Sequence, residues 1–335
     1  MNLQSSNQRS PRLSPLTLCA ALALWGAMAG SAFAQAYPTN PIRLIIPFPA
    51  GGTTDIVGRL VADRMGRELG QSVIVENRGG GGGAIGANEV AQSAPDGYII
   101  GMGTVSTMAV NPACNPKLPY NPLRDFAPIT NLAIVANVIA VHPSVPVKDY
   151  KEFLALLKAQ PGKQSYASSG TCGIGHMIGE QFKVASGTFM LHIPYRGAGP
   201  ALNDVVAGQV PVIVDNLPSS MPHILSGKLR ALVVAWPKRI DQLPNVPTFA
   251  EVGLKEVNDP AWYGLVAPAK TPEAITTRLR DAAVRAMQDK ELQERFRANG
   301  AEPLGNTPAE YTAQIKREYE KAVDIVKRQG IKLEQ

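Results

Sequence analysis

Short apolar runs alternate with helical repeats along almost the whole chain, and this alternation constrains the fold more than any other feature. "IRLIIPF" (42–48) is a continuous apolar run of the kind that a parallel strand buried on both faces requires. From Asp55 to Leu69 the period changes, with Ile56, Leu60, Val61 and Leu69 at helical spacing. "SVIVEN" (72–77), "AIGANEVAQSA" (84–94) and "YIIGMGTV" (98–105) then read as strand, helix and strand. The result is βαβαβ, the signature of an α/β lobe with a parallel sheet.

After a Pro-rich stretch between Asn111 and Pro128 comes "ITNLAIVANVIAVHP" (129–143), too long for one ordinary strand and long enough to carry the chain from one lobe to another. The alternation then restarts. A helix is expected from about Lys148 to Ala159, followed by strands at "QSYASSG", "LHIPYRG", "VPVIVDN" and "LRALVVAW" with helices 174–186, 199–207 and 219–227 between them. The tail predicts helices near 272–289, 290–299 and 307–329, the last opened by the capping box Thr307-Pro308-Ala309-Glu310. Two α/β lobes joined by extended crossings make a clamshell. Its ligands would bind beyond the carboxyl ends of the strands, in the cleft between the lobes.

The first 34 residues read as an export signal. Arg9 and Arg12 precede an apolar run from Leu16 to about Ala27, and Ala32-Phe33-Ala34 supplies a small-x-small cleavage signature, with cleavage expected after Ala34. Its removal lowers the formal charge from +6 to +4, mildly basic, with no Lys/Arg run and only 6% aromatic residues. That argues against a nucleic-acid partner. Cys114 and Cys172 survive cleavage, too few for a disulfide scaffold.

Several loops at strand ends could carry chemistry. In "PFPAGGTTD" (47–55), Gly51 and Gly52 allow close backbone approach and Thr53 or Thr54 could cap the next helix, making an anion site of free amides. "YASSGTCGIGH" (166–176) repeats the device in the second lobe with Ser168, Ser169, Gly170 and Thr171. Arg196 in "PYRGAG" could pair with a carboxylate, or with another surface charge. Asp215 in "VDN" could receive a ligand ammonium or cap the helix at Ser219.

Enzyme readings find little support. Gly81-x-Gly83-x-x-Gly86 matches the dinucleotide fingerprint, but it follows the second strand, and the next strand ends "MGTVST" with no acid for a ribose. The glycines read instead as a flexible rim, or as a place where the backbone passes close to a neighbouring loop. No G-x-S-x-G elbow occurs, and His142, His176, His192 and His223 show no metal spacing. A non-enzymatic protein without metal or cofactor is expected.

In combination, several motifs resemble the Bug family, the extracytoplasmic receptors of tripartite tricarboxylate transporters. They include "YPTNPIRLIIPFPAGGTTDIVGRLVADRM", "LPYNPLRDFAPIT", "HIPYRGAGPALNDVVAGQVPVIVDNLPS", "LPNVPTFAEVG" and "WYGLVAPAKTP". The resemblance covers essentially all of the chain after the signal. It implies a two-lobe periplasmic binding protein of type II, with 35–135 and 258–335 in lobe 1 and 136–257 in lobe 2. It implies ligand contacts at Phe48, Ala50, Gly51, Gly52, Thr53 and Asp55, at Thr104 and Ser106, at Ser168 to Thr171, and at Tyr195, Arg196 and Gly197. The departure is Cys172 in "TCGIGH", where the family usually has another small or polar residue.

The function expected is capture of a small carboxylate in the periplasm and its delivery to a membrane permease, by a monomer. With Arg196 the one cation and Asp215 near it, an acidic amino acid, glutamate or aspartate, is the expected ligand. The alternatives are citrate-like tri- or dicarboxylates, an aromatic acid, or a sensor rather than a transport role. A disulfide between Cys114 and Cys172 is also expected, since both start from the cleft side and the periplasm favours oxidation.

Overall fold

Two sheets, each built around parallel βα units, account for the described chain. A computed structural model describes residues 37–329, and the expected signal segment with its cleavage after Ala34 lies outside them. The chain from Asn40 onward forms one compact unit, and the following concerns that unit.

The chain opens with β1 (Ile42–Ile46), α1 (Thr53–Leu69), β2 (Val73–Asn77), α2 (Ala84–Gln92) and β3 (Ile99–Thr104). β1 pairs parallel with β2 and β3. Its apolar run is buried at four of five positions because helices cover both faces of such a sheet. β3 does not end in a loop. A wide helical turn, Ser106–Val110, runs on into one turn of helix, Asn111–Cys114. The sequence from Asn111 onward, rich in proline, predicts irregular chain instead. Pro112 in the first turn is the helix-start signal there.

The long apolar run proves to be two strands in two sheets. β4 (Phe126–Val135) belongs to the first sheet and β5 (Asn137–Val141) to the second, with Ala136 alone between them. The Ala136 amide donates to the Gly300 carbonyl, and its own carbonyl accepts from the Leu217 amide. Then follow α3 (Tyr150–Ala159), β6 (Ser165–Ser168), α4 (Ile174–Ser186), β7 (Leu191–Pro194), α5 (Ala198–Val206), β8 (Val212–Asn216), α6 (Leu217–Leu225) and β9 (Arg230–Ala235). The chain returns through β10 (Ala261–Pro268), α7 (Glu273–Met287), α8 (Lys290–Ala298), β11 (Ala301–Pro303) and α9 (Pro308–Gln329). Strand order is β11-β4-β10-β3-β1-β2 in one sheet and β7-β6-β8-β5-β9 in the other.

β10 was not read from the sequence, yet it fills the centre of the first sheet, antiparallel to both β3 and β4. All eight of its residues are buried, so it offers no alternation to detect. It also explains two strand glycines. Gly264 pairs with Gly103 across β10 and β3, and together they form a notch for the ring of Tyr311 from α9. A methyl group at Gly264 would lie 2.5 Å from that ring and 2.6 Å from the Thr130 carbonyl oxygen. Gly264→Ala is therefore expected to cost about 1–3 kcal/mol by overpacking. A fall in the urea midpoint with an unchanged m-value would confirm this, and an unchanged midpoint would show that the notch is not tight.

Candidate functional site

The strands β1, β3, β6, β7 and β8 all end toward the gap between the sheets, and the helices that follow β1, β6, β7 and β8 start there. The N-caps of α1, α4, α5 and α6 are Gly52, Gly173, Gly197 and Asn216, and none makes a side-chain cap bond. By contrast α3 and α8 are capped by the carboxylates of Asp149 and Asp289. The hydroxyl of Thr307 caps α9, with Glu310 closing the expected capping box. The four helix starts that face the gap are thus all without a side-chain cap from their own N-cap residue. Each helix N-terminus carries roughly half a positive charge, so the gap is electropositive without a cation in its wall.

The first loop is shaped from beneath by Asp55. Its carboxylate accepts from the Gly51 amide at 3.1 Å, from Arg59 Nε at 2.9 Å and from Asn77 Nδ2 at 2.9 Å. Burial alone would raise the Asp55 pKa, but these hydrogen bonds outweigh it and hold the group below the usual carboxylate range. Asp55, an expected ligand contact, is engaged here in ordering the loop. Gly51, at φ +85, supplies the backbone turn that brings its amide onto this carboxylate.

Thr53 does not cap α1. It is already helical, and its hydroxyl reaches the other lobe, 2.8 Å from Ser219 Oγ and accepting from the Ser219 amide at 3.1 Å. Thr104 and Thr107 bind each other's amides reciprocally at 3.1 Å, which pins the turn after β3. That turn presents Ser106, whose Oγ accepts from the Ile174 amide in the first turn of α4 at 3.0 Å. A third crossing is made by Tyr263 of β10, whose hydroxyl donates to Asn216 Oδ1 at 2.6 Å. The Asn216 amide nitrogen in turn donates to Asn137 Oδ1 at 2.5 Å.

These groups close around a small cavity of about 10 Å³, the space of roughly one water molecule. Phe48, Gly52, Thr53, Thr104, Ser106 and Ser169, each an expected ligand contact, are among the residues that line it. Thr54, from the same glycine-threonine loop, lines it too, as do Ala198, Asn216 and Tyr263, which no sequence signal singles out. Nothing in the wall is an acid or a base beyond the Tyr263 phenol, whose pKa burial and the nearby Asp215 push up. A larger open hollow by Gly66, Gly70 and Val73 sits at the carbonyl end of α1, where the helix dipole repels anions.

The other expected residues take supporting places. Ser168 is fully buried, 2.7 Å from His192 Nε2. Burial, then His176 and Lys183, lower the pKa of that imidazole to about 3, so His192 is neutral at ordinary pH. The Tyr195 hydroxyl donates to Asp204 at 2.6 Å, and Arg196 is exposed. Gly197 lies so near Pro49 that a methyl group there would come within 2.5 Å, and Gly199 packs directly on the Ala50 carbonyl. Asp215 is buried and accepts from Ser219 Oγ at 2.7 Å and Ser220 Oγ at 2.8 Å, with burial raising its pKa in spite of them. It ties α6 to its strand and is not among the residues lining the cavity.

The glycine run forms the edge of the gap. Gly80 to Gly83 all have positive φ. A methyl group on Gly82 would stand 2.7 Å from the Thr171 carbonyl of the opposite lobe, while Asn111 Nδ2 donates to the Gly81 carbonyl at 2.7 Å. Gly170, at φ +132, faces Gly82 in the same contact. Cys114 and Cys172, expected as a disulfide, are free thiols in the structure, both buried and near enough to shift each other's ionisation.

Two α/β lobes, two chain crossings and a polar cavity at the strand ends define a periplasmic binding protein of type II. Known proteins agree with that geometry. The chain belongs to the family described as "Tripartite tricarboxylate transporter family receptor", whose profile matches residues 57–331. The periplasmic binding protein BugD is 34% identical, with a TM-score of 0.86 over 88% of this chain and 99% of that one. R. palustris Rpa4515, solved with adipate, is 33% identical with a TM-score of 0.85, over 88% of this chain and 99% of that one. MatC from Rhodopseudomonas palustris, with bound malate, is 31% identical with a TM-score of 0.83, over 87% and 100%. The chain is thus a Bug-type solute-binding receptor, of a family that works in the periplasm.

Two outcomes follow from the site. Gly82→Val should obstruct the meeting of the lobes at Thr171 and weaken ligand binding, and the strain of a side chain at φ +62 should itself cost the unliganded protein about 1–2 kcal/mol. Wild-type affinity would show that this contact does not form on closure. For Asp55, the lowered native pKa means its stabilising share is present above the ordinary carboxylate value, near pH 3.9, and is lost as pH falls through the native value. Asp55→Asn should cost about 1.5 kcal/mol at neutral pH, the low end for charge-assisted bonds because the Arg59 partner is half exposed. The cost should vanish in strong acid, as chemical denaturation across pH would reveal.

Proposed function

We propose that this receptor captures a small dicarboxylate in the periplasm and delivers it to the membrane permease of a tripartite transporter. The observation that carries this reading is the pair of opposed helix starts, α1 from one lobe and α4, α5 and α6 from the other, left without side-chain caps around a neutral, hydroxyl-rich cavity. One carboxylate would sit on the amides at Gly52 to Thr54 with Ser106 and Thr104. The other would take the amides at Ser169 and Ala198. The dicarboxylates named with two of the similar structures, adipate and malate, support this class.

A dicarboxylate takes precedence over glutamate or aspartate for a physical reason. An ammonium needs an acceptor with negative charge, and the residues lining the cavity include no carboxylate. Asp215, expected to receive it, already accepts from two serine hydroxyls and belongs to the scaffold. A citrate-like trianion would place a third charge where no cation stands, since Arg196 is exposed at the rim. The lining holds no nucleophile with a general base, so we read the protein as a receptor that performs no chemistry on its cargo. We assign 35–135 with 258–335 to one lobe and 136–257 to the other, and treat the receptor as a monomer.

Calorimetry and thermal shift with malate, adipate, glutamate, citrate and benzoate test the assignment. A dicarboxylate present at 100 times its dissociation constant should stabilise the protein by about 2.7 kcal/mol. Ser106→Ala and Tyr263→Phe should each weaken it by about 1–2 kcal/mol, the worth of a hydrogen bond to a charged ligand. Tight glutamate or citrate binding with no response to either dicarboxylate would overturn the proposal.

A further inference from the structure

We propose that Cys114 and Cys172 are a redox clasp, a thiol pair whose oxidation to a disulfide holds the two lobes closed. Cys114 ends the helical turn that follows β3 in the first lobe, and Cys172 sits in the loop between β6 and α4 in the second. Both are buried, and each lies close enough to the other across the gap to perturb its ionisation. Neighbouring contacts hold these loops together. Ser106 accepts from the Ile174 amide at 3.0 Å on one side. On the other, Gly82 passes under the Thr171 carbonyl with no room for a side chain. Cys172 is also the one non-glycine with positive φ among the described residues, at +58. A left-handed backbone costs a side-chain-bearing residue roughly 1–2 kcal/mol, yet a cysteine stands there, against the other lobe's cysteine.

The chemistry is thiol–disulfide exchange in two steps. With the lobes apart, the thiolate of one cysteine attacks one sulfur of an external disulfide, such as a periplasmic protein disulfide or glutathione disulfide, forming a mixed disulfide and expelling one thiolate. When the lobes meet, the second cysteine loses its proton and attacks the sulfur of the first, expelling the second thiolate. Two thiols have lost two protons and two electrons, and the external disulfide has become two thiols. The first step needs the lobes apart, because both sulfurs are buried when they meet. The second needs them together. Oxidation thus records a closure event, and the bridge retains whatever the cleft has enclosed.

The clasp rests on the two-lobe fold and not on the identity of the cargo, so its test uses no ligand. The purified receptor is equilibrated with glutathione disulfide, denatured in iodoacetamide without reductant, and weighed. In parallel, its radius of gyration in solution is compared with that of the dithiothreitol-reduced protein and of Cys114→Ser. We expect a monomer lighter by two hydrogen atoms with neither cysteine alkylated, and a smaller radius than in both controls. Should Cys114→Ser fold poorly, the reduced wild-type protein serves as the comparison. Alkylation of both cysteines, a stable glutathione adduct on either, a disulfide-linked dimer, or equal radii for the bridged and reduced forms would each overturn the clasp.

Discussion

The site depends on one constraint: an anion inside a protein must be met by fixed dipoles or by cations, and here the geometry supplies dipoles. A parallel strand delivers its chain to the start of the next helix, so a sheet of parallel strands gathers helix N-termini along one edge. Two such sheets set edge to edge bring four amide-rich starts around a single gap. The side chains nearby then need only be small and neutral. Glycine allows the backbone to approach, serine and threonine add donors, and the acids order the scaffold, as Asp55 and Asp215 do. A receptor for an anion can therefore have a cavity wall free of lysine and arginine.

The crossings between lobes come in two kinds with different work to do. At Ala136 and at the return into β10 the chain itself passes over, and main-chain bonds to Gly300 and Leu217 fix the passage. Asn137, Asn216 and Tyr263 link that region to the cavity floor through a row of side-chain hydrogen bonds. Farther out, Thr53 with Ser219 and Ser106 with Ile174 join the lobes by hydroxyls alone. Hydroxyls can rotate to water when the lobes part, so these outer bonds can open without leaving a buried charge or an unsatisfied group.

Much of the fold was legible because the strands bury both faces and the helices one. The runs at 42–48, 72–77 and 98–105 each held a strand, and the helix at 174–186 began and ended where its periodicity did. β10 escaped because Gly264 in its middle and Pro268 at its end break an otherwise continuous apolar run. The passage at Ala136 showed only as excess length, for a single residue between two strands leaves no breaker. The site was legible as loops but less so as side chains. In "VDN", side chains of a strand alternate. Asn216 therefore faces the cavity and Asp215 the scaffold, and no local feature of the sequence says which. Thr53 looked like a cap because it stands where caps stand, but Gly52 takes that position and frees the hydroxyl to cross.

The closed contacts also bear on how cargo is sensed. A ligand shifts an equilibrium between open and closed lobes only by the difference in its interactions with the two. Ser106 Oγ and Thr53 Oγ1 already accept from first-turn amides of α4 and α6 when the lobes meet, so closure by itself satisfies part of the polar surface that a carboxylate would also satisfy. A cargo oxygen that merely replaced these hydroxyls as acceptor would add little. The useful ligand is one whose charge exceeds what a hydroxyl dipole offers, since the field of the helix ends acts on a full negative charge several times more strongly than on a hydroxyl oxygen. Such a ligand also spans the gap, so that each end meets amides from a different lobe. Two carboxylates on a short chain meet both demands, and a neutral polyol of the same length meets only the second. In such a site discrimination follows from charge placed at both walls, with the number of hydrogen bonds held nearly constant between the empty and the filled closed states.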